Sequence, residues 1–355
     1  MRSIILASLI LLQSACLWRP LLARPSLQDE LVYTVTGDGW KIAMHHYRPA
    51  PGIEPQKIPV VICHGISANE RMWSLEKGRS FPRYLADRGW DVWAIDLRGV
   101  GDSEKPWWIN GKNYDYPFDA YVTQDVPAVI SEVLKRTGAQ KVNWVGHSLG
   151  GMIIYAHIAT YGDAKFQTFI PVASPMGFSG MNKYFAWGQR HAESLRNWIP
   201  SMPNDFLVAT IAPAGRRFHL GVEYIFWNFD NMDDNATPAF MYNTIGNMAS
   251  GVLRQLAGAF ATDQFTSVDG KVNYVTGLNR LTIPILVVAG MADNLCPPQN
   301  VMPVYDSVPS HDKTLRIFAR ANGDSFDYGH VDLTIGDTAQ AEVYPELETW
   351  MRRRQ

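Results

Sequence analysis

The fold is decided by the stretch Val142-Asn143-Trp144-Val145-Gly146-His147-Ser148-Leu149-Gly150-Gly151. An apolar strand pattern precedes Ser148, and the run from Leu149 to Tyr161 has the length and periodicity of a helix. The Gly-x-Ser-x-Gly pattern between them allows a tight turn, because glycine lets neighbouring segments approach without a Cβ clash. Such a turn exposes its serine at the carboxyl edge of a sheet, at the positive end of a helix dipole. We therefore predict that Ser148 is a nucleophile, and a helix N-cap is its alternative role.

A serine nucleophile needs a base and a group that orients this base. At a strand-turn-helix site of this kind, the three residues follow the chain order serine, acid, histidine. Of the nine histidines, His330 follows the last predicted strand in a glycine-bearing loop and precedes the final helix. We predict that His330 is the base. The alternative is a loop histidine that is bonded to Asp327 or Asp332.

The acid is expected where a buried strand ends. The apolar run from Ile283 to Ala289 is followed by a Gly-x-x-Asp turn that ends at Asp293. A carboxylate at this position can fix the tautomer of the histidine and stabilise the imidazolium. The other possible strand end, after Ala173, offers only Ser174 and Pro175. We therefore predict that Asp293 is the acid.

Two backbone N–H groups are expected to hold the negative charge of a reacting oxygen, in an oxyanion hole. The amide of Leu149 directly follows the serine. The second candidate is the amide of Ile66, because the strand that starts near Val60 breaks at His64-Gly65 and the next amide can point into the site. For the side chain of His64 we predict a structural or orienting role in preference to that of a second base.

Short β-rich runs alternate with longer helical patterns over residues 31–174 and again over residues 283–355. This alternation predicts an α/β fold, and the nearly continuous apolar strands favour a mostly parallel sheet flanked by helices. Residues 175–282 interrupt the pattern and are rich in Met and aromatic residues, so we expect a largely helical cap or lid inserted into the core. The predicted strands are Leu31 to Thr36, Lys41 to Arg48, Pro59 to His64, Asp91 to Asp96, Lys141 to Gly146, Thr168 to Ala173, Ile283 to Ala289 and Thr314 to Phe318. The predicted helices are Met72 to Arg88, Phe118 to Thr137, Leu149 to Tyr161 and Ala339 to Arg353.

Residues 1–24 have the pattern of an export signal. Arg2 precedes the apolar run from Ser3 to Leu12, which is followed by the small residues Ser14, Ala15 and Cys16. The segment around Cys16 resembles a bacterial lipobox, although Gln13 stands where an aliphatic residue is usual. Lipidation of Cys16, simple cleavage nearby and a buried first helix are the three alternatives. We expect an exported protein that is periplasmic, anchored to a membrane as a lipoprotein, or secreted.

The charge balance argues against nucleic acid as a partner. The chain has 32 Lys and Arg against 34 Asp and Glu, a formal net charge of -2, whereas nucleic acid favours concentrated positive charge. We find neither a metal-ligand cluster nor a phosphate-binding glycine loop in the sequence, and we therefore expect no cofactor. If Cys16 is processed, Cys63 and Cys296 remain, and we predict two buried free thiols.

With these motifs in place, the chain resembles the α/β-hydrolase superfamily from about residue 31 to the end, apart from the insertion. The resemblance rests on His64-Gly65-Ile66, the turn from Asp96 to Ser103, the elbow from Gly146 to Gly150, the turn from Gly290 to Asp293, and Gly329-His330. Within the superfamily it resembles the acid-lipase-like branch, in His64 to Asn69, Met72-Trp73, Trp90 to Trp93, Phe118-Asp119, Val126 to Ala128 and Tyr328 to Leu333. Leu149, Gly151 and the general turn Asp96-Leu97-Arg98-Gly99 depart from that branch.

The resemblance implies hydrolysis of a small-molecule or lipid ester through a Ser-His-Asp triad and an acyl-enzyme. The Met and aromatic residues of the insertion would either line an apolar acyl pocket or form the core of the cap itself. An aminopeptidase, a lactonase or an acyltransferase can share this triad. An aminopeptidase needs carboxylates for a substrate ammonium, and the insertion offers Glu223, Asp230, Asp233 and Asp234. A non-catalytic surface binding protein is the alternative from another functional class.

Overall fold

The computed structural model describes residues 22–178, 201–202 and 225–355. The predicted leader, Cys16 and much of the first half of the predicted cap lie outside the described residues. Within the described ranges, no helix combines the length and the apolar character needed to cross a membrane.

Eight strands form one sheet, in the order β1-β2-β6-β3-β7-β8-β11-β12, and two short pairs lie apart from it. In this sheet β1 pairs antiparallel with β2, and β2 pairs antiparallel with β6. The neighbouring pairs β6·β3, β3·β7, β7·β8, β8·β11 and β11·β12 are all parallel. This arrangement confirms the prediction of a mostly parallel sheet and contains all eight predicted strands. In chain order the strands are β1 (Glu30–Val35), β2 (Lys41–Tyr47), β3 (Val60–Cys63), β4 (Ser74–Glu76), β5 (Arg79–Ser80), β6 (Val92–Ile95), β7 (Val142–His147), β8 (Phe166–Val172), β9 (Ser201–Met202), β10 (Met248–Ala249), β11 (Ile285–Gly290) and β12 (Lys313–Phe318).

The central strands are mostly apolar because helices cover both faces of the sheet. Strands β3, β6, β7 and β11 are buried at every position. The described α-helices are α1 (Phe81–Ala86), α2 (Phe118–Ala120), α3 (Val126–Thr137), α4 (Leu149–Tyr161), α5 (Ala236–Thr244), α6 (Ser250–Thr262), α7 (Pro298–Ser307), α8 (Asp332–Ile335) and α9 (Ala339–Arg352). A π-helical turn, Tyr121–Asp125, joins α2 to α3, so the predicted helix from Phe118 to Thr137 is continuous.

The predicted helix from Met72 to Arg88 is wrong in its first half. Strands β4 and β5 pair there as a small antiparallel hairpin, and Gly78 supplies the positive φ of +90° in its turn. Helix α1 begins only after Ser80, whose side chain accepts a hydrogen bond from the amide of Arg83 and caps the helix. Local capping and turn residues thus override the helical periodicity.

The two cysteines of the described core are free and buried, as predicted. Cys63 ends β3, and Cys296 lies in the loop between β11 and α7. Burial raises the pKa of both thiols well above the ordinary value. They are therefore packing residues with little thiolate character.

Candidate active site

Ser148 occupies a strained turn between β7 and α4, with φ 51° and ψ -116°. A non-glycine residue rarely adopts a positive φ, and such strain persists only where its surroundings enforce it. A Cβ on Gly146 would lie 2.4 Å from the carbonyl carbon of Gly150, and a Cβ on Gly150 would lie 2.6 Å from the carbonyl oxygen of His64. Both glycines are therefore required for the close packing that presents Ser148 at the sheet edge.

His330 and Asp293 form a buried pair. The Nδ1 atom of His330 lies 2.7 Å from Oδ2 of Asp293. The other carboxylate oxygen of Asp293 accepts hydrogen bonds from the amides of Leu295 and Cys296, at 2.9 and 2.7 Å. Asp293 is thus held by the loop after β11, and it orients the imidazole so that Nε2 is left for a reacting group.

The two alternative partners of His330 are engaged elsewhere. Asp327 accepts a hydrogen bond from the amide of Arg320. Asp332 accepts one from the amide of Gly329 at 3.0 Å and one from the side chain of Asn231 at 3.1 Å. Both carboxylates therefore stabilise the loops around His330 and leave its ring to Asp293.

Ser148 and His330 line the same cavity. Ile66 and Leu149 line it as well, so the predicted nucleophile, base and oxyanion-hole residues converge on one space, with Asp293 behind the base. The remaining described wall is apolar apart from a thiol and consists of Met152, Pro175, Phe178, Leu256, Phe260, Leu295 and Cys296.

Residues of the predicted cap divide between two environments. Phe178 lines the cavity and packs edge-on against Phe260 of α6, with their ring centroids 4.9 Å apart. By contrast, Trp227, Met232 and Phe240 lie in a separate hydrophobic cluster. Phe178 thus has the expected place in the pocket wall. The cluster of Trp227, Met232 and Phe240 also contains residues from outside the predicted cap, such as Met72 and Val331, so it packs this segment against the rest of the fold.

His64 fixes the peptide that carries the second expected oxyanion donor. Its Nδ1 donates to the carbonyl oxygen of Gly65 at 2.7 Å, and its Nε2 accepts from the amide of Leu97 at 3.1 Å. Burial lowers the pKa of His64, which keeps the ring neutral in the tautomer that these partners require. The Gly65 carbonyl and the Ile66 amide belong to one planar peptide and point in opposite directions. Holding the carbonyl therefore fixes the direction of the Ile66 N–H, in agreement with the predicted orienting role.

The chain matches a protein-family model. The family is described as the alpha/beta hydrolase fold, and the match covers residues 58–326. The chain belongs to the α/β-hydrolase family.

Known proteins similar to this α/β-hydrolase include lipases. Triacylglycerol lipase 2 of Arabidopsis thaliana is 24% identical over 363 residues, covering 90% of this chain and 84% of the plant protein. A poly(3-hydroxyalkanoate) polymerase subunit, PhaC of Haloferax mediterranei, is 22% identical over 342 residues, covering 92% and 64%. A solved structure, a soluble variant of monoglyceride lipase from Saccharomyces cerevisiae, has a TM-score of 0.62 at 14% identity and covers 93% and 97%. The family match and the curated lipases support a hydrolase of the esterase or lipase type.

Sequence reasoning missed a second histidine at the active site of this α/β-hydrolase. His147, beside Ser148, donates from Nε2 to the carbonyl oxygen of His330 at 2.9 Å, and the two rings lie 4.6 Å apart. Burial, together with the nearby His330, lowers the pKa of His147 well below its usual value. It is therefore a neutral donor that connects the elbow to the loop that carries His330. The position of His147 in the Gly-x-Ser-x-Gly pattern does not predict its hydrogen bond to the backbone of His330.

Sequence reasoning also missed a cluster of charged side chains around β2 and β6, in which Asp102 is exposed and the other members are buried. Nε2 of His45 lies 3.0 Å from Asp96 and 4.0 Å from Asp102, and its Nδ1 lies 3.9 Å from Glu70. Burial alone would lower the pKa of His45, but Asp96 and the other carboxylates outweigh it and raise the pKa to about 9. Burial raises the pKa of Glu70 to about 7, although His45 opposes it.

The donor atoms of His45, Asp96 and Asp102 lie within 4.8 Å of one another, a spacing that a metal ion could bridge. The imidazolium of His45 already supplies a positive charge at this place, and Asp96 also accepts hydrogen bonds from the amides of Glu70 and Asp102 at 2.7 Å each. We interpret the cluster, defined by His45, Glu70, Asp96 and Asp102, as an ion-pair network of the fold.

Proposed function

We propose that this protein is a carboxylic ester hydrolase that acts on apolar acyl esters through Ser148, His330 and Asp293. The observation that carries the proposal is that Ser148, in its strained elbow, shares a cavity with His330, whose Nδ1 lies 2.7 Å from Asp293. With Nδ1 directed at the carboxylate, Nε2 is left to take the proton of the serine hydroxyl.

The proposed reaction begins when His330 takes the hydroxyl proton of Ser148 and the serine oxygen attacks the ester carbonyl carbon. The amides of Ile66 and Leu149 hold the oxyanion; the Leu149 amide is the first of α4 and has no acceptor within the helix. Collapse of this intermediate breaks the bond to the alcohol, which leaves with the proton from the imidazolium. Water, activated by the same imidazole, then attacks the acyl-enzyme and releases the acid and the serine.

The preference for apolar acyl groups is inferred from the walls of the cavity. Met152, Phe178, Leu256 and Phe260 offer thioether, aromatic and aliphatic surfaces, and such walls hold an acyl chain by removing it from water. No described residue that lines this cavity carries a carboxylate, so the described walls offer no partner for a substrate ammonium. This observation favours an ester over the substrate of an aminopeptidase.

Two measurements test the proposal. A fluorophosphonate probe is expected to label the wild-type chain and not Ser148→Ala, and labelling that does not depend on Ser148 would refute the nucleophile. Initial rates on p-nitrophenyl esters from acetate to palmitate are expected to rise beyond acetate. A preference for acetate would refute the apolar acyl pocket.

Acyl transfer to an alcohol is the second candidate function, because the chain is similar over most of its length to a protein named as a poly(3-hydroxyalkanoate) polymerase subunit. Both functions share the acyl-enzyme and differ in the acceptor. Incubation with p-nitrophenyl butyrate and an added alcohol distinguishes them. Free butyrate as the main product supports hydrolysis, whereas a new butyrate ester supports transfer.

We also propose that the chain is exported, on the basis of the apolar run from Ser3 to Leu12. Mass spectrometry of the mature N-terminus tests this directly. A diacylglyceryl group on Cys16 indicates a lipoprotein, a free N-terminus near this position indicates simple cleavage, and an intact Met1 contradicts export through this segment.

A further inference from the structure

Three consecutive apolar side chains protrude into solvent. Trp107, Trp108 and Ile109 are 61%, 84% and 67% exposed. Most other tryptophans of the described residues are buried, Trp73 and Trp144 completely. Adjacent exposed large apolar groups are unusual on a protein that remains alone in water, and they commonly mark a surface that binds a partner or a membrane.

The loop that carries these side chains is held in shape by Asn110. Its side-chain oxygen accepts from the amides of Trp107 and Lys112 at 3.0 and 3.1 Å, and its amide group donates to the carbonyl oxygen of Lys105 at 3.0 Å. The polar side chain of Asn110 thus forms hydrogen bonds within the loop. The apolar residues are presented outward by a fixed backbone.

The base of the loop is anchored, and two of its charged residues, Glu104 and Lys112, pair with each other. The ammonium of Lys112 pairs with Glu104 and donates to the carbonyl oxygen of Gly39 at 2.5 Å. The amide of Glu104 donates to the carbonyl oxygen of Lys41 at 2.8 Å. Residues 106–111, which include the three exposed apolar side chains, contain no charged side chain. The surface that fits these side chains is therefore apolar and does not need a net charge.

The loop follows β6 and leaves the sheet at the edge that holds Ser148. Ile95, the last residue of β6, pairs with Cys63, and Cys63 pairs with Gly146 of β7 in the same direction. The chain after β6 therefore leaves the sheet at the same edge as Ser148. Farther along this connection, the carbonyl oxygen of Tyr114 accepts a hydrogen bond from the side chain of Ser250 in α6, the helix that also lines the cavity.

We propose that Trp107, Trp108 and Ile109, here named the tryptophan tip, insert into the surface of a zwitterionic lipid layer. Tryptophan has an apolar body and one polar N–H, and it is enriched at the boundary between water and lipid for this reason. Insertion of the tip would bring the carboxyl edge of the sheet towards the lipid. This role goes beyond ester hydrolysis and does not depend on a lipid at Cys16.

Vesicle binding tests the tip. The full chain is sedimented with phosphatidylcholine vesicles as the wild type, as the double variant Trp107→Ala/Trp108→Ala, and as Tyr161→Ala. Tyr161 is a matched control, because it is an aromatic residue, 54% exposed, at the far end of α4 from Ser148. The double variant is expected to partition at least about tenfold more weakly, a difference of about 1.4 kcal/mol, and the control is expected to match the wild type. Equal partition of all three proteins would overturn the proposal.

Quenching by dibrominated phosphatidylcholine shows whether the tip itself enters the lipid. The wild type is expected to lose part of its tryptophan emission and the double variant is not, whatever group is attached to the N-terminus. Because the tip is uncharged, partition is expected to change little with salt. Quenching that persists in the double variant would overturn the proposal.

Two controls separate this inference from other outcomes. Thermal unfolding followed by circular dichroism checks that the double variant is folded, and this readout does not depend on any activity. Sedimentation velocity without vesicles checks for a second copy of the chain. A dimer that the double variant abolishes, in the absence of lipid quenching, would assign the tip to self-association and overturn the lipid proposal.

Discussion

Two buried pairs of histidine and aspartate lie at the same sheet edge, and they differ in what faces the second ring nitrogen. In the pair His330–Asp293, one nitrogen faces the carboxylate and the ring borders the cavity that Ser148 shares. In the pair His45–Asp96, one nitrogen faces Asp96 and the other faces the carboxylate of Glu70. A ring enclosed by carboxylates remains charged and acts as a counterion. A ring whose second nitrogen faces no carboxylate can exchange a proton with a reacting group. A role in acid-base catalysis therefore depends on what faces the second ring nitrogen.

The largest expected effect comes from Asp293→Asn, which breaks the first pair. The amide would favour the wrong tautomer of His330, and kcat is expected to fall about ten-thousandfold. Steady-state rates on a p-nitrophenyl ester measure this effect. Asp96→Asn is the matched variant in the second pair, and a comparable loss of kcat in the folded Asp96 variant would contradict the distinction between the pairs.

The variant His45→Gln breaks the second pair. It removes the cation beside Asp96 and leaves this buried carboxylate without a charged partner, whereas Glu70 keeps its ion pair with Arg71. The loss of one partner of a buried ion pair costs about 3–5 kcal/mol in other proteins. We expect a loss of this size in the free energy of unfolding, measured with urea, and a nearly unchanged kcat under conditions where the variant is folded. Unchanged stability would show that the ring is neutral in the fold.

The pH dependence of stability sharpens the comparison. The pKa of His45 is raised from 6.5 to about 9, so its stabilising effect is complete below pH 6.5 and is lost as the pH rises through about 9. Over this interval the free energy of unfolding is expected to fall by about 3 kcal/mol. Glu70, with a pKa raised from 4.5 to about 7, adds a decrease at lower pH as it ionises. Urea unfolding between pH 6 and 9.5 measures the slope, and His45→Gln is expected to flatten its upper part.

The smallest expected effect comes from His64, which holds the peptide between Gly65 and Ile66. The variant His64→Ala releases the Gly65 carbonyl, and the Ile66 amide then loses its fixed direction. Because complete loss of an oxyanion donor costs about 100-fold to 1000-fold in kcat, partial loss of its orientation is expected to lower kcat about tenfold with little change in KM. A change confined to KM would indicate a role in substrate binding and contradict the orienting role.

Much of the fold follows from the sequence because buried parallel strands must be apolar on both faces. For this reason the buried parallel strands of the sheet are recognisable, and strand ends together with chain order select Asp293 and His330. The helix predicted from Met72 to Arg88 failed because the turn at Gly78 and the cap at Ser80 act locally against the periodicity.

The charged cluster and the contact of His147 were beyond prediction for a different reason. His45 meets Asp96 only because β2 pairs antiparallel with β6 in one register, in which His45 lies opposite Ala94. His147 reaches the backbone of a residue that lies 183 positions away. Such contacts depend on the three-dimensional path of loops, and a residue pattern along the chain contains no information on that path.

The rate of covalent labelling tests the central claim most directly. Wild type, His330→Gln and His45→Gln are treated with a fluorophosphonate probe, and the modified residue is identified by mass spectrometry. We predict modification of Ser148, a rate lowered at least about a thousandfold in His330→Gln, and a rate near that of the wild type in folded His45→Gln. Labelling of His330→Gln at the wild-type rate, or a collapse confined to His45→Gln, would contradict the assignment of His330 as the base.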